Sequence, residues 1–199
     1  MISPIPHDEP FDRFAEVYGR AVATGIDDPN AITLSTATRE GRPLARTVLL
    51  KDFSPDGFVF YTNLESRKGR QIAENPQVCL SFYWRELGEQ IIIQGTAQQV
   101  SDEEADTYFA SRDRKSRLGA WASQQSRPLK NRAQLLAAVA RNEARFLGGD
   151  VPRPAYWSGF RVVPHTLEFW TNGLFRLHRR LLYERLDDAK GWSVSRLYP

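Results

Sequence analysis

Five short runs rich in β-branched and aromatic residues crowd residues 31–100 and constrain the fold more than any other feature. "AITLSTAT" (31–38) alternates apolar and polar side chains, "REGRP" is a turn, and "LARTVLLK" (44–51) completes a hairpin. "SPDG" is a second turn signal, and "FVFYTN" follows it as a third strand. "QVCLSFYW" (77–84) and "EQIIIQGTAQQV" (89–100) are the fourth and fifth. Strands this close together pair antiparallel, because parallel pairing needs long crossovers.

Helical periodicity frames and interrupts the strands. Residues 8–25 place Phe11, Phe14, Ala15, Tyr18 and Val22 on one face, and Gly25 is a stop. Residues 66–75 read as a short helix closed by Pro76. "SDEE" (101–104) has the form of a capping box, with Ser101 and Glu104 reciprocal, ahead of a helix through Tyr108 and Phe109. A long helix at 131–147 turns Leu135, Leu136, Val139 and Phe146 inward. "WSGFRVVP", "TLEFWTN" and "GWSVSRLYP" supply the last strands. The expected class is mainly β with helices (α+β), an antiparallel barrel decorated by helices. At 199 residues the chain suits one domain over 1–199, with 1–10 flexible and 101–147 a helical insertion.

Charge and cysteine usage narrow the function. A net charge of +3, with cations and acids interspersed, is far from the basic stripe of a nucleic-acid binder. Cys79 is the only cysteine and reads as a buried core thiol, and no Cys/His cluster has metal spacing. The N-terminal stretch has no signal-peptide pattern and no apolar run is long enough to span a bilayer, so the expected location is cytoplasmic, without membrane partners.

Three clusters carry the chemistry. The first is Ser66-Arg67-Lys68-Gly69-Arg70 at a helix start, where the backbone dipole already disfavours cations. Ser66 is a good N-cap, and the free amides beyond it with two cations make an anion receptor; a solvated basic turn fits this stretch equally well. The second is "YFASRDRKSRLGAWASQQS" (108–126), where Tyr108, Arg112 and Ser116 line one face if the helix continues. A polar helix face explains that spacing too. The third is "EFWTNGLFRLHRR" (168–180), where an extended backbone points Arg176, His178 and Arg180 the same way. A structural hydrogen bond is the ordinary role of such a lone histidine.

In order and spacing, these clusters resemble the pyridoxine (pyridoxamine) 5′-phosphate oxidase family of FMN-dependent Greek-key split-barrel flavoproteins. The resemblance runs from about residue 10 to the C-terminus through "RTVLLK", "FVFYTNLESRKG", "YFASRDRKSRLGAWASQQS", "VPRPAYWSGFRV", "LEFW", "RLH" and the final "RLYP". It implies a homodimer with FMN in each of two clefts between the subunits. It implies FMN contacts from Arg46, Thr47, Val48, Leu49, Leu50, Lys51, Tyr61, Thr62, Arg67, Lys68, Gln90, Gln125, Ser126, Trp170 and Arg180. On the same footing, Lys51, Tyr108, Arg112 and Ser116 hold the substrate anion. Arg176 and His178 clamp the substrate ring for hydride transfer to the flavin, and O₂ takes the electrons as hydrogen peroxide. The substrate would be a small anionic aromatic or heterocyclic compound.

The chain departs from the vitamin-forming members near the active site. Those read "RQVRIEG", "EFWQG" and "RLHDR"; here Glu89 and Ile92 replace arginines, Thr171-Asn172 replaces glutamine, and Arg179 replaces an acid. The N-terminal extension of those enzymes is largely missing. "YWRE", "QIIIQG" and "LEFW-NG" look more like the phenazine-biosynthesis branch. The leading expectation is therefore oxidation of reduced phenazine carboxylic acids, with pyridoxamine/pyridoxine 5′-phosphate oxidation as the alternative. A flavin-binding or pyridoxal-phosphate-carrying module without turnover stands behind both.

Overall fold

The computed structural model describes residues 6–186 and 191–199. Its scaffold is an antiparallel sheet of β1 (Ala31–Ala37), β2 (Pro43–Leu49), β3 (Asp52–Ser54), β4 (Gly57–Asn63), β5 (Gln77–Trp84), β6 (Glu89–Gln99), β7 (Trp157–Thr171), β8 (Arg179–Arg185) and β9 (Trp192–Leu197). The main order is β2-β1-β5-β6-β7-β4-β3, with β8 and β9 branching from β7. Five helices accompany the sheet: α1 (Glu9–Ala23), α2 (Arg67–Glu74), α3 (Asp102–Ser111), α4 (Arg114–Ala122) and α5 (Arg132–Arg145).

The branch makes the sheet a curled half-barrel. "WSGFRVVP" and "TLEFWTN", read as two strands, are one 15-residue strand. Its register against β6 slips between Gln94 and Gly95, beside Pro164 and His165. A bulge adds a residue to one strand and sharpens its bend. Glycine is required at 95 because a Cβ there would run into the Val163 carbonyl. Before the bend β7 pairs β4, from Trp157 to Val162; after it β7 pairs β8, from Thr166 to Thr171. No sequence signal marked β8, because "RRLLYER" has no strict alternation.

Helix α1 packs against the curled sheet. It buries Phe11, Phe14, Val17 and Ala21, a stripe rotated from the expected face; Val22 is half exposed. Phe14 packs 4.8 Å from Phe53, 4.9 Å from Phe58 and 5.3 Å from Phe82, ring centre to ring centre. The Trp192 indole donates to the His7 carbonyl at 3.0 Å, and the Tyr183 hydroxyl to Glu9 at 2.6 Å. Residues 6–10, expected to be flexible, are thus tied to β8 and β9; residues 1–5 lie outside the described residues.

Other expectations change in detail. Helix α5 buries no residue fully, and Leu136 is exposed rather than inward. It leans on α4 through Phe146, 5.4 Å from Trp121. Cys79 is half-buried, not a sealed core thiol, with its pKa raised by what burial it has. No helix among the described residues is long and apolar enough to cross a membrane.

Candidate functional site

The start of α2 is a crowded cationic corner. Ser66 caps it by accepting from the Gly69 amide at 3.3 Å. Position 69 must be glycine, since a Cβ would collide with the Leu64 carbonyl, so the helix end is pressed onto the preceding turn. Lys68 is buried, not solvated. Its Nζ donates to Gln125 Oε1 at 2.8 Å, Thr62 Oγ1 at 3.1 Å and Ser66 Oγ at 3.4 Å, and none of these acceptors is a carboxylate. Burial, and then the Arg46 charge, pull its pKa down to about 8.

Arg46 is itself held inward. Its guanidinium donates to Thr36 Oγ1 at 2.7 Å and the Leu34 carbonyl at 3.1 Å. Burial and then Arg67 lower its pKa. Arg46, Arg67 and Lys68 therefore repel one another beside the positive end of a helix dipole. A dianion relieves both penalties at once, so the donor set fits a phosphate such as that of FMN. The solvated-turn alternative fails on the burial of Lys68.

This corner opens into a cavity of about 740 Å³. Of the expected contacts, Arg46, Thr47, Val48, Leu49, Lys51, Tyr61, Thr62, Lys68 and Gln125 line it. So do all four expected anion ligands, Lys51, Tyr108, Arg112 and Ser116. The last three do not share one continuous helix. α3 stops at Ser111, and Asp113 restarts the chain as α4 by accepting from the Ser116 amide at 2.9 Å. Both helix ends nevertheless face the cavity. Burial lowers the Arg112 pKa, and its buried Nη1 has no hydrogen-bond partner. A half-buried guanidinium with one nitrogen shielded and unpaired suits an anion ligand by its chemistry.

An aromatic wall sets these groups in place. Tyr61 stacks 3.9 Å from Tyr108 and 5.4 Å from Trp157, and the Arg112 guanidinium lies 4.8 Å over the Trp157 ring. Glu104 anchors the wall. It accepts two bonds from Arg161 at 3.1 Å and one from the Tyr61 hydroxyl at 3.4 Å. Burial first, and Glu104 second, push the Tyr61 phenol up to about 12. The expected capping box is therefore half formed: Ser101 accepts from the Glu104 amide at 3.1 Å, but the Glu104 side chain goes to the wall. Sequence reasoning gave Trp157, Asn63 and Glu104 no site role; a polar residue opening α3 beside a tyrosine-bearing strand was the available signal for Glu104.

The remaining expected residues do not line this cavity. Leu50 is buried in the core. Arg67 and Ser126 are exposed, and Ser126 edges a separate hollow between α4 and α5. Gln90, Trp170 and Arg180 form one cross-strand row over β6, β7 and β8. Arg180 there donates to Glu168 at 2.6 and 3.1 Å. Arg176 and His178 occupy the β7–β8 loop, and that segment is not extended: Leu174–Arg176 is a 3₁₀ turn. Phe175 and Arg176 have φ of 56° and 64°, which costs roughly 1–2 kcal/mol per residue. His178 lies tilted against Trp170, ring centres 4.6 Å apart, and its Nδ1 accepts from the Gly173 amide at 3.2 Å. Among the residues lining the large cavity, none comes from 168–180. The two sets of candidate residues therefore lie apart within one chain.

The substituted positions make their own contacts. Glu89 accepts two bonds from Arg20 of α1, at 2.8 and 3.1 Å. The Asn172 amide donates to the Gly88 carbonyl at 2.8 Å. Arg179 pairs Thr171 across the strands and is exposed.

Comparison with known proteins follows this division. Residues 19–145 match the family described as pyridoxamine 5′-phosphate oxidase. Residues 157–199 match the pyridoxine 5′-phosphate oxidase C-terminal dimerisation region. The chain is 54% identical over 192 residues to a pyridoxine/pyridoxamine 5′-phosphate oxidase of Maricaulis maris, covering 96% of this chain and 86% of the relative. It is 50% identical over 195 residues to pyridoxine/pyridoxamine 5′-phosphate oxidase 2 of Ralstonia nicotianae, covering 98% and 92%. Among solved structures, PhzG from Burkholderia lata 383, in complex with tetrahydrophenazine-1-carboxylic acid, superposes with a TM-score of 0.90 at 35% identity, covering 96% and 92%. A pyridoxamine 5′-phosphate oxidase-related, FMN-binding protein from Nostoc punctiforme shares the fold, with a TM-score of 0.74 at 18% identity, covering 92% and 96%.

Proposed function

We propose, from the premise that this chain belongs to the pyridoxamine 5′-phosphate oxidase family and is an FMN-dependent oxidoreductase, that it oxidises a small ring compound bearing a phosphate, of the pyridoxine or pyridoxamine 5′-phosphate class. The observation that carries this is the complete anion set in the large cavity, with the buried Arg112 Nη1 unpaired beside Lys51, Tyr108 and Ser116. A substrate dianion satisfies that group as the FMN phosphate satisfies Lys68 and Arg46. Relatives at 50–54% identity carry the name of this activity.

When bound, FMN supplies the two-electron chemistry, with O₂ as the final acceptor. The chain's own residues bind and orient. Arg67, Lys68, Arg46 and Thr62 hold the FMN phosphate, and Gln125 fixes the Lys68 amine. Thr47, Val48 and Leu49 flank the flavin from β2, and Tyr61 and Trp157 wall the substrate pocket. Gln90, Trp170, Arg180, Arg176 and His178 reach the same cleft from the second copy, which the C-terminal dimerisation region brings into contact. The two half-sites then make one site per cleft, with the ring held against the flavin.

A second reading, oxidation of a reduced phenazine carboxylic acid, is favoured by one set of observations. Glu89 bonded to Arg20, Thr171-Asn172 and exposed Arg179 replace the vitamin-forming pattern on the second half-site. The structural neighbour with a TM-score of 0.90 holds such a ligand. Arginine and lysine take a carboxylate as readily as a phosphate. Anaerobic mixing of the yellow holoenzyme with each substrate decides. Fast bleaching by pyridoxamine 5′-phosphate supports the first reading, bleaching only by the phenazine precursor installs the second, and bleaching by neither overturns both.

A further inference from the structure

The β7–β8 loop presents an apolar crown to water. Leu174 is 83% exposed, Phe175 90% and Leu177 68%. This is no slack loop. The Leu177 amide donates to the Leu174 carbonyl at 3.0 Å, and the His178 amide to the Arg176 carbonyl at 2.9 Å. At Gly173 a Cβ would strike the Leu177 carbonyl, and the Gly173 amide is held by His178. Two consecutive left-handed, non-glycine residues, Phe175 and Arg176, form its tip. Strain held in place by surrounding bonds marks segments shaped for a contact.

The large cavity lacks what the crown offers. Its walls supply cations, hydroxyls and the Tyr61–Trp157 stack, and no residue of this loop lines it within one chain. The loop lies inside 157–199, the stretch that matches the C-terminal dimerisation region, so a second copy is the occupant its apolar face suits. It also flanks Arg176 and His178, so any contact they make with a ring sets Phe175 beside that ring.

We propose that the Leu174–Phe175 crown of one copy closes the cavity mouth of the second copy, and that Phe175 packs on the substrate ring and selects its size. This rests on the substrate site and shared cleft proposed above. An aromatic edge or face on a flat heterocycle adds to apolar burial and is sensitive to ring extent. Leu174 and Leu177 exclude water at the rim, which strengthens the charge pairing behind them.

The test uses holoenzyme dimers of Phe175→Ala, Phe175→Leu and Phe175→Tyr, with FMN content and dimer mass checked first. Iodide quenching of the bound FMN fluorescence reads closure directly, without turnover. Phe175→Ala is expected to raise the quenching constant at least threefold, and Phe175→Tyr to restore it. The ratio of anaerobic flavin-reduction efficiencies for pyridoxamine 5′-phosphate and a reduced phenazine carboxylic acid reads selection. It should move at least tenfold towards the three-ring substrate in Phe175→Ala. Phe175→Leu keeps apolar bulk and serves where the alanine variant dissociates; it should move the ratio severalfold. An unchanged quenching constant overturns closure, and an unchanged ratio overturns ring selection. Failure of both substrates to reduce wild-type flavin sinks the proposed function, while quenching still decides the crown.

Discussion

The corner at α2 and the loop between β7 and β8 both carry cations to which we assign small-molecule anions, yet they are built in opposite ways. At α2 Lys68 is buried and Arg46 half-buried, bonded to Thr62, Gln125 and Thr36 and so fixed before any ligand arrives, while Arg67 stands exposed beside them. In the loop Arg176 is exposed on a braced turn beside exposed Phe175. Buried cations without carboxylates define an anion site inside one chain. Exposed cations among exposed apolar groups suit a surface covered by a second body. In the proposal above, the first half binds within one chain and the second acts across the interface.

The largest break in that contrast comes at the buried corner. Arg67→Ala with Lys68→Ala removes two charge-assisted contacts, each worth about 1.5–3 kcal/mol, so FMN affinity should fall roughly 10²- to 10⁴-fold. Measured by flavin retention on gel filtration, a yellow, fully loaded double variant would sink the phosphate assignment. Next comes the anion set. Arg112→Ala should raise KM for the phosphate substrate on the order of 10²-fold while FMN stays bound, because a partly buried charge partner is lost. Equal loss of FMN and substrate affinity would merge the two anion sites into one. Smaller again, Arg176→Ala or His178→Ala should slow flavin reduction about 10- to 100-fold by loosening substrate placement. Exposed Arg176 predicts an unchanged melting temperature for its variant, whereas half-buried His178, which accepts the Gly173 amide, predicts a small fall for its own. Normal reduction rates in both variants would remove the loop from the site.

The sequence made these halves unequally legible. Five of the six strands from 31 to 100 were readable because alternation and turn chemistry are local; the three-residue β3 was too short to show either. So was the α2 cap, since Ser66 and Gly69 are neighbours in sequence. The burial of Lys68 was not, because it depends on Gln125, 57 residues away. The Glu104 anchor was masked by a local rule, as Ser101-to-Glu104 spacing reads as a capping box while Arg161 and Tyr61 compete for the same carboxylate. The third cluster was misjudged for a different reason. Alternation of Arg176, His178 and Arg180 suggested extended backbone, but Gly173 and the bond to His178 fold the segment into a turn. Tertiary pairing also drew "RRLLYER" into β8, which local pattern alone did not mark. The substrate expectation leaned on β6 and the loop; the cavity, with its unpaired Arg112 Nη1, fits an anion, phosphate or carboxylate alike.

The smallest expected effect sharpens the contrast most cleanly, because only the buried half should show it. The Lys68 amine has its pKa lowered from 10.5 to about 8 in the folded chain. Between those values the unfolded chain binds more protons at this group than the folded one, so its contribution makes the FMN-free protein more stable as pH rises through that window. FMN binding works the other way. Its phosphate is already a dianion above pH 7 and favours the ammonium form, so binding takes up a proton above pH about 8. FMN affinity should therefore fall above pH 8, by at most about tenfold per pH unit for one proton. Titration of the apoprotein by flavin fluorescence between pH 7 and 9 measures it. Lys68→Arg keeps its charge throughout and should flatten the profile, while Arg176→Ala should leave it as in the wild type. A slope that survives Lys68→Arg would assign the proton to another group, and the buried amine would no longer distinguish the two halves.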